Sequence, residues 1–436
     1  MKWRRFSLLA IIPLMITLLY PLTLSQPPLD PDDSFITLER QIQGMLQQIN
    51  ETLVFDYHDS LMDIGPRFTG TETCAQAAYY IHDEFTKLGL ETHFHLWEFW
   101  GYKCVNVIGT LNGTDPSSDA IIVMSAHFDT TNGSLGADDD GSGIAAMLAA
   151  AQIISQYSFP HTIQFIAFSG EEVGTYGSFM YARDASARGD NIVAVINIDM
   201  IGYANTTKGG NMIRMFRAPR AAWIESFATR VAEKYHNMTG LSVQAIPNYR
   251  GADHQAFLEY GYDAVFFAHY DGYPWGNSVE DTPDHLNHTY QVKATKFLLA
   301  LVTELAYMPL DFQVILKNPW EGYAYLANYF VLPFHWGRLY EMEMRGTTLI
   351  LGRCDVQVDV RSQEEIDFVV FCIDDIFIQW DYTPPYEWKI QGKHYPPMGK
   401  HTLNVYAYDT LGNIAHDEMD IIIFTLSYQY APWEIT

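Results

Sequence analysis

Four short stretches decide how this chain is read: Ser125-Ala126-His127-Phe128-Asp129, Ala137-Asp138-Asp139-Asp140-Gly141-Ser142-Gly143, Phe168-Ser169-Gly170-Glu171-Glu172 and Asn197-Ile198-Asp199-Met200. Each closes an apolar run or opens a helix. A histidine and several carboxylates gathered at the edge of a core repel one another and resist desolvation. A bound divalent cation relieves both problems. The pattern therefore predicts a two-metal hydrolase site.

Working outward, strands and helices alternate. Strands are expected over 91–97, 104–111, 120–125, 162–168, 192–198 and 263–268, and helices over 35–62, 73–88, 141–157, 176–187, 220–236 and 289–306. Thr73 is the expected cap of the second helix, and residues 26–34 read as a linker. Alternation of this kind predicts an α/β fold, a mixed and mostly parallel sheet flanked by helices. Its acidic motifs follow strand ends, where ligands collect in open α/β sheets.

Beyond about residue 310 helical periodicity stops. Strand-like runs over 349–360, 366–373, 376–380, 399–408 and 418–425 predict an all-β sandwich. The stretches Pro385-Tyr386-Glu387-Trp388, Gly399-Lys400-His401-Thr402-Leu403 and Ala407-Tyr408-Asp409 resemble immunoglobulin-like modules appended to secreted enzymes. The expected organisation is a signal peptide or signal anchor over 1–25, a catalytic domain over 26–310 and the sandwich over 311–436.

Composition narrows the setting. The 436 residues are 48% hydrophobic with a net charge of −26, which excludes a nucleic-acid binder relying on basic patches. Lys2, Arg4 and Arg5 precede the apolar run from Phe6 to Leu24, an export signal in form. The run is almost long enough to stay as a tether, although Pro13 and Pro21 interrupt it. A secreted or tethered extracellular protein is expected. Sequons at Asn50, Asn112, Asn132, Asn205, Asn237 and Asn287 add weak support. Cys74 with Cys104, and Cys354 with Cys372, fall as one pair in each region. Paired disulfides and four buried thiols both remain open.

Within the motifs, a lone histidine is usually a core residue, but His127 is followed by Asp129, whose carboxylate can orient a ring or a neighbouring ligand. Helix capping accounts for one of Asp138, Asp139 and Asp140, not three. Adjacent Glu171 and Glu172 point in different directions, so one can bind metal while the other faces the substrate water. Asp199 taken alone would be an ordinary strand-end residue.

Together these motifs resemble peptidase family M28, the zinc aminopeptidases, over roughly residues 40–308. Gly65-Pro66-Arg67 and Gly251-Ala252-Asp253-His254 match as well. The resemblance implies two Zn2+ ions per chain: one on His127 and Asp199, the other on Glu172 and a late histidine, with Asp139 bridging. It implies Glu171 as general base, and as substrates peptides with free N-termini. One departure stands out. The late motif reads Gly276-Asn277-Ser278-Val279-Glu280-Asp281-Thr282, so Asn277 stands where the second zinc's histidine is expected. An amide oxygen is a poor zinc ligand beside imidazole. His269 is the expected substitute, ahead of His285 and His288. The alternatives to an aminopeptidase are a glutaminyl cyclase or carboxypeptidase activity on a related site, and a non-catalytic surface binding protein. In either case the C-terminal module is a candidate for cell-surface contact.

Overall fold

In the computed structural model, described residues are 31–218, 221–247, 251–308, 312–319, 323–333, 347–362, 365–374, 376–390, 398–410 and 414–424. The expected signal segment, Arg220 and Thr425 lie outside them. Residues 1–41 and 42–436 form two compact units. In the first, the described part is the start of the helix Pro31–Gln48. Two sequence expectations change here. Helix begins inside the supposed linker, and the single helix expected over 35–62 is two. Asn50 breaks it by adopting an extended backbone and capping Glu51–Met62 through its side chain.

An eight-stranded sheet forms the centre of the second unit. Its strands are β1 Glu91–Phe99, β2 Tyr102–Leu111, β3 Ile121–His127, β4 Thr162–Phe168, β5 Ile192–Ile198, β6 Met212–Arg217, β7 Ser242–Pro247 and β8 Ala264–His269, in the order β1-β2-β4-β3-β5-β8-β6-β7. The inner four, β4-β3-β5-β8, are parallel. Antiparallel pairings occur at β1–β2, β2–β4 and β6–β8. β4 and β5 lie on opposite sides of β3, so the chain reverses its winding there. A crevice is left at the carboxyl end of β3.

Helix Gly141–Ile154 crosses behind β3 and is buried at every residue except Gln152. Its alanines let it sit close between the sheet and the helices Glu51–Met62 and His288–Tyr307. Helix Glu72–Lys87 is capped by Thr71, whose side chain accepts the Cys74 N–H, and not by Thr73. Thr73 instead donates to the Pro66 carbonyl at 2.5 Å. β6 and β7 escape sequence reading. Charged residues interrupt β6, and β7 has a weak apolar alternation.

The described residues between 312 and 424 are all-β. One sheet runs β11-β10-β12-β18-β17-β14-β15, built from Tyr329–Pro333, Tyr323–Leu326, Thr348–Leu351, Ile414–Phe424, Gly399–Asp409, Ile366–Ile373 and Ile376–Asp381. The other is β16-β13-β9, from Glu387–Ile390, Cys354–Ser362 and Phe312–Asn318. Their facing side chains share one core that includes Val356, Phe371, Trp388, Val405 and Ile421. The strand expected over 349–360 is divided by Gly352, which takes a left-handed φ of 85°.

Trp388 is only 1% exposed at the middle of that core. Trp388→Ala should destabilise the β region by about 3–5 kcal/mol. With an independent domain ending near residue 310, calorimetry should show one transition falling and another holding. A single transition moving as a whole would contradict that boundary.

Candidate metal centre

His127 is the last residue of β3 and is buried at the crevice. Its Nε2 lies 3.3 Å from Asp139 Oδ1 and 3.8 Å from Asp199 Oδ1. These three side chains bring their ligand atoms within 4.8 Å of one another. His127 Nε2 and Asp199 Oδ1 are both buried without a hydrogen-bond partner. Such atoms are normally satisfied. A divalent cation would satisfy both, and an imidazole with two carboxylates suits zinc. On the far side of the ring, Nδ1 sits 3.1 Å from the Asp129 carbonyl oxygen, which fixes its orientation.

The aspartate triplet divides its labour. Asp139 alone joins the cluster. Asp140 caps helix Gly141–Ile154, accepting from Gly143 N at 2.9 Å, Met200 N at 3.1 Å and His127 N at 3.2 Å. One carboxylate thus ties the ends of β3 and β5 to the helix start. Asp138 points elsewhere. It accepts from Gly202 N at 2.7 Å and Ser142 Oγ at 3.0 Å, and pairs with His269 Nε2 at 3.0 Å.

Three buried side chains hold the 128–139 loop from outside. His58 Nε2 meets the Ala137 carbonyl at 2.8 Å. Asp281 accepts from Asp138 N at 2.9 Å and Asp139 N at 3.1 Å. Arg67, fully buried, donates to the carbonyls of Phe128, Leu135, Gly65 and Gly136. Burial lowers its pKa to about 10, which leaves it cationic near neutral pH. Gly136 takes φ 58°, and a Cβ there would meet the Asp139 carbonyl at 2.3 Å.

The glutamate pair follows β4. Asp129 accepts from Glu171 N at 3.2 Å, Glu172 N at 3.3 Å and Thr69 Oγ1 at 2.5 Å. The loop is anchored behind by Asn106, which accepts from Ser169 N and donates to the Gly177 carbonyl. Trp97 Nε1 donates to Ser169 Oγ at 3.0 Å. At Gly177 a Cβ would lie 2.0 Å from the Ser169 carbonyl oxygen, so only glycine fits.

Electrostatics mark this as a strained cluster of like charge. Burial, with the neighbouring Asp199, Asp253 and Asp129, pushes the Glu171 carboxyl well above its usual range. Burial and Asp139 push Glu172 up to about 8. Burial, opposed by His127, raises Asp139 to about 6. Burial resists charge on His127, but Asp129, Asp139 and Asp199 outweigh it and raise its pKa well above normal.

Of the residues expected from sequence, the structure brings together His127, Asp139 and Asp199, with Glu171 and Glu172 on the adjoining loop and Asp129 between them. Asn277 is exposed, in a left-handed turn with φ 57°. His269 faces Asp138. Trp275 stacks on His285 at 3.6 Å, and Phe55 on His288 at 3.5 Å. Sequence reading missed Thr69, Asp281 and the role of Arg67. Arg67 and Asp281 sit inside motifs that the sequence does display, but their partners lie far away along the chain.

Residues 106–302 match peptidase family M28. Leucine aminopeptidase 1 of Coccidioides posadasii is 30% identical over 233 residues, covering 48% of this chain and 58% of that protein. Aminopeptidase YwaD of Bacillus subtilis is 25% identical over 269 residues, covering 58% and 56%. The chain therefore spans somewhat over half the length of these relatives. Among solved structures, the Legionella pneumophila LapA aminopeptidase aligns with a TM-score of 0.56 at 23% identity, covering 62% of this chain and 75% of that one. BSAP, a zinc aminopeptidase from Bacillus subtilis, aligns at 0.55 and 17%, covering 60% and 96%. These structures share the fold of the α/β region. That region, over residues 106–302, belongs to peptidase family M28.

Proposed function

We propose that the chain is an exported zinc aminopeptidase that removes N-terminal residues from peptides. The observation that carries this reading is the buried set His127, Asp139 and Asp199, with unsatisfied Nε2 and Oδ1 atoms, beside a glutamate pair fixed in place by Asp129. The curated relatives named as aminopeptidases supply the reaction class. Export rests on the basic and apolar start of the chain.

Zinc held by His127, Asp139 and Asp199 would supply Lewis acidity toward a peptide carbonyl. The protein's own groups do the rest. Glu171, with its proton affinity raised by burial and neighbouring carboxylates, takes a proton from the attacking water and passes it to the leaving amine. Asp129 holds the Glu171 backbone and the His127 ring in fixed relation, so base and metal ligand stay in register. Glu172 and the shared Asp139 would hold a second zinc, with no imidazole in the position of Asn277.

Glu171→Gln should keep its metal and lose about 10²–10⁴-fold in kcat on aminoacyl reporter substrates. Near-normal turnover would remove Glu171 from the mechanism, and metal binding by wild type without any turnover would favour a binding protein.

The two metals should differ in affinity. Graded chelation should remove one well before the other, and Asn277→His should tighten the weaker. Equal loss of both, unchanged by that substitution, would show that the weaker site is completed elsewhere.

The metal-free protein should lose stability as pH rises. Asp139 moves from 3.8 to about 6 on folding and Glu172 from 4.5 to about 8, so the folded state keeps protons that the unfolded chain has released. His127 shifts in the same sense. Urea midpoints in chelator should fall between about pH 4 and pH 8. Saturating zinc, which replaces those protons, should flatten or reverse the trend. A midpoint in chelator that rises over this range would contradict the reading.

A further inference from the structure

Two cysteines meet behind the glutamate loop. Cys74 lies in the first turn of helix Glu72–Lys87, and Cys104 lies on β2 opposite Trp97 of β1. Their Sγ atoms are 3.5 Å apart, although 30 residues separate them in sequence. A disulfide needs about 2.05 Å, a gap that small side-chain rotations can close. Cys74 is buried and Cys104 is partly exposed. Cys104 lines an open cavity of about 460 Å³ with Gly70, Thr71, Trp97 and Lys103, so a small reagent can reach it. The hydrogen bond from Cys74 brings the Cys104 thiol down to about 6, while the same contact and burial push Cys74 up. One sulfur is therefore suited to attack and the other to resolve.

The surroundings link this pair to the site. Cys104 precedes Val105, whose carbonyl accepts from Ser169 Oγ at 2.8 Å, and Ser169 opens the Glu171–Glu172 loop. Thr71 Oγ1 accepts the Cys74 N–H, two residues after Thr69, which donates to Asp129. A bond between the sulfurs would tie the Thr69 segment to the strand that supports Ser169.

We propose that Cys74 and Cys104 are a dithiol–disulfide site that, when oxidised, clamps the base of the glutamate loop. The Cys104 thiolate attacks one sulfur of a small disulfide such as oxidised glutathione, forming a mixed disulfide on Cys104 and releasing the other half, which takes up a proton to become a thiol. Cys74 then gives up its proton and attacks the Cys104 sulfur, expelling the second thiol. Two protein thiols and one disulfide become one protein disulfide and two thiols, so two electrons pass to the reagent.

The test equilibrates the full chain with oxidised or reduced glutathione, alkylates it and maps peptides without reduction. Oxidised protein should yield a Cys74–Cys104 cross-linked peptide. Its melting midpoint should exceed that of the reduced form by roughly 5 °C. Cys104→Ser should abolish the difference. Cys74→Ala should trap one glutathione on Cys104. The proposal is overturned if both thiols remain alkylated, if oxidation leaves the midpoint unchanged, or if the Cys74→Ala protein takes up no glutathione at Cys104.

Discussion

The carboxylate of Asp129 is the interaction on which the rest of the site depends. It accepts both glutamate N–H groups and the Thr69 hydroxyl, while its own carbonyl meets His127. A single residue thereby sets the glutamate loop after β4 relative to the histidine that ends β3. Hydrogen bonds to a carboxylate are stronger than neutral ones, which suits a side chain that is fully buried.

Around that hub the fold resolves a conflict between packing and charge. The parallel strands β3, β4 and β5 all end on one edge, so their terminal acids converge. Left alone, they would repel one another in a poorly solvated crevice. The chain answers with fixed donors: Asp140 and Asp138 are consumed by backbone N–H groups, and Asp281 pins the two residues before Asp140. Arg67 adds a buried positive charge without contacting a carboxylate directly. Its guanidinium is spent on carbonyls, so it shapes the loop while its field moderates the acids. Among the buried atoms left without a hydrogen-bond partner are His127 Nε2 and Asp199 Oδ1, which lie 3.8 Å apart.

Much of this was legible in the sequence, for identifiable reasons. β4 and β5 are short, mostly apolar runs, and their bounds agree with the structure to the residue. Acids placed directly after such runs must lie at a sheet edge. Less legible were features set by distant partners. Asp281 reads as part of a late motif, yet it acts on residues more than 140 positions earlier. The choice of Asp139 from the triplet came through the family resemblance alone, because adjacent carboxylates are distinguished only by the backbone turn they occupy, and the structure groups Asp139 with His127 and Asp199. β6 was missed because Arg214 and Arg217 interrupt its apolar pattern, and β7 because an edge strand such as Ser242–Pro247 shows little apolar alternation. The break at Asn50 was missed because a cap inside a helical pattern resembles an ordinary polar residue.

The fifth ligand is the point where motif and geometry part. Asn277 is exposed, and the nearby histidines are spent on Asp138, Trp275 and Phe55. The central claim concerns the three residues that the structure does unite. It is tested most directly by soaking crystals in a zinc salt and measuring anomalous diffraction on both sides of the zinc absorption edge. The account predicts a strong peak at roughly 2.0–2.1 Å from His127 Nε2, shared with Asp139 and Asp199. A zinc-saturated crystal with no peak at His127 would contradict it.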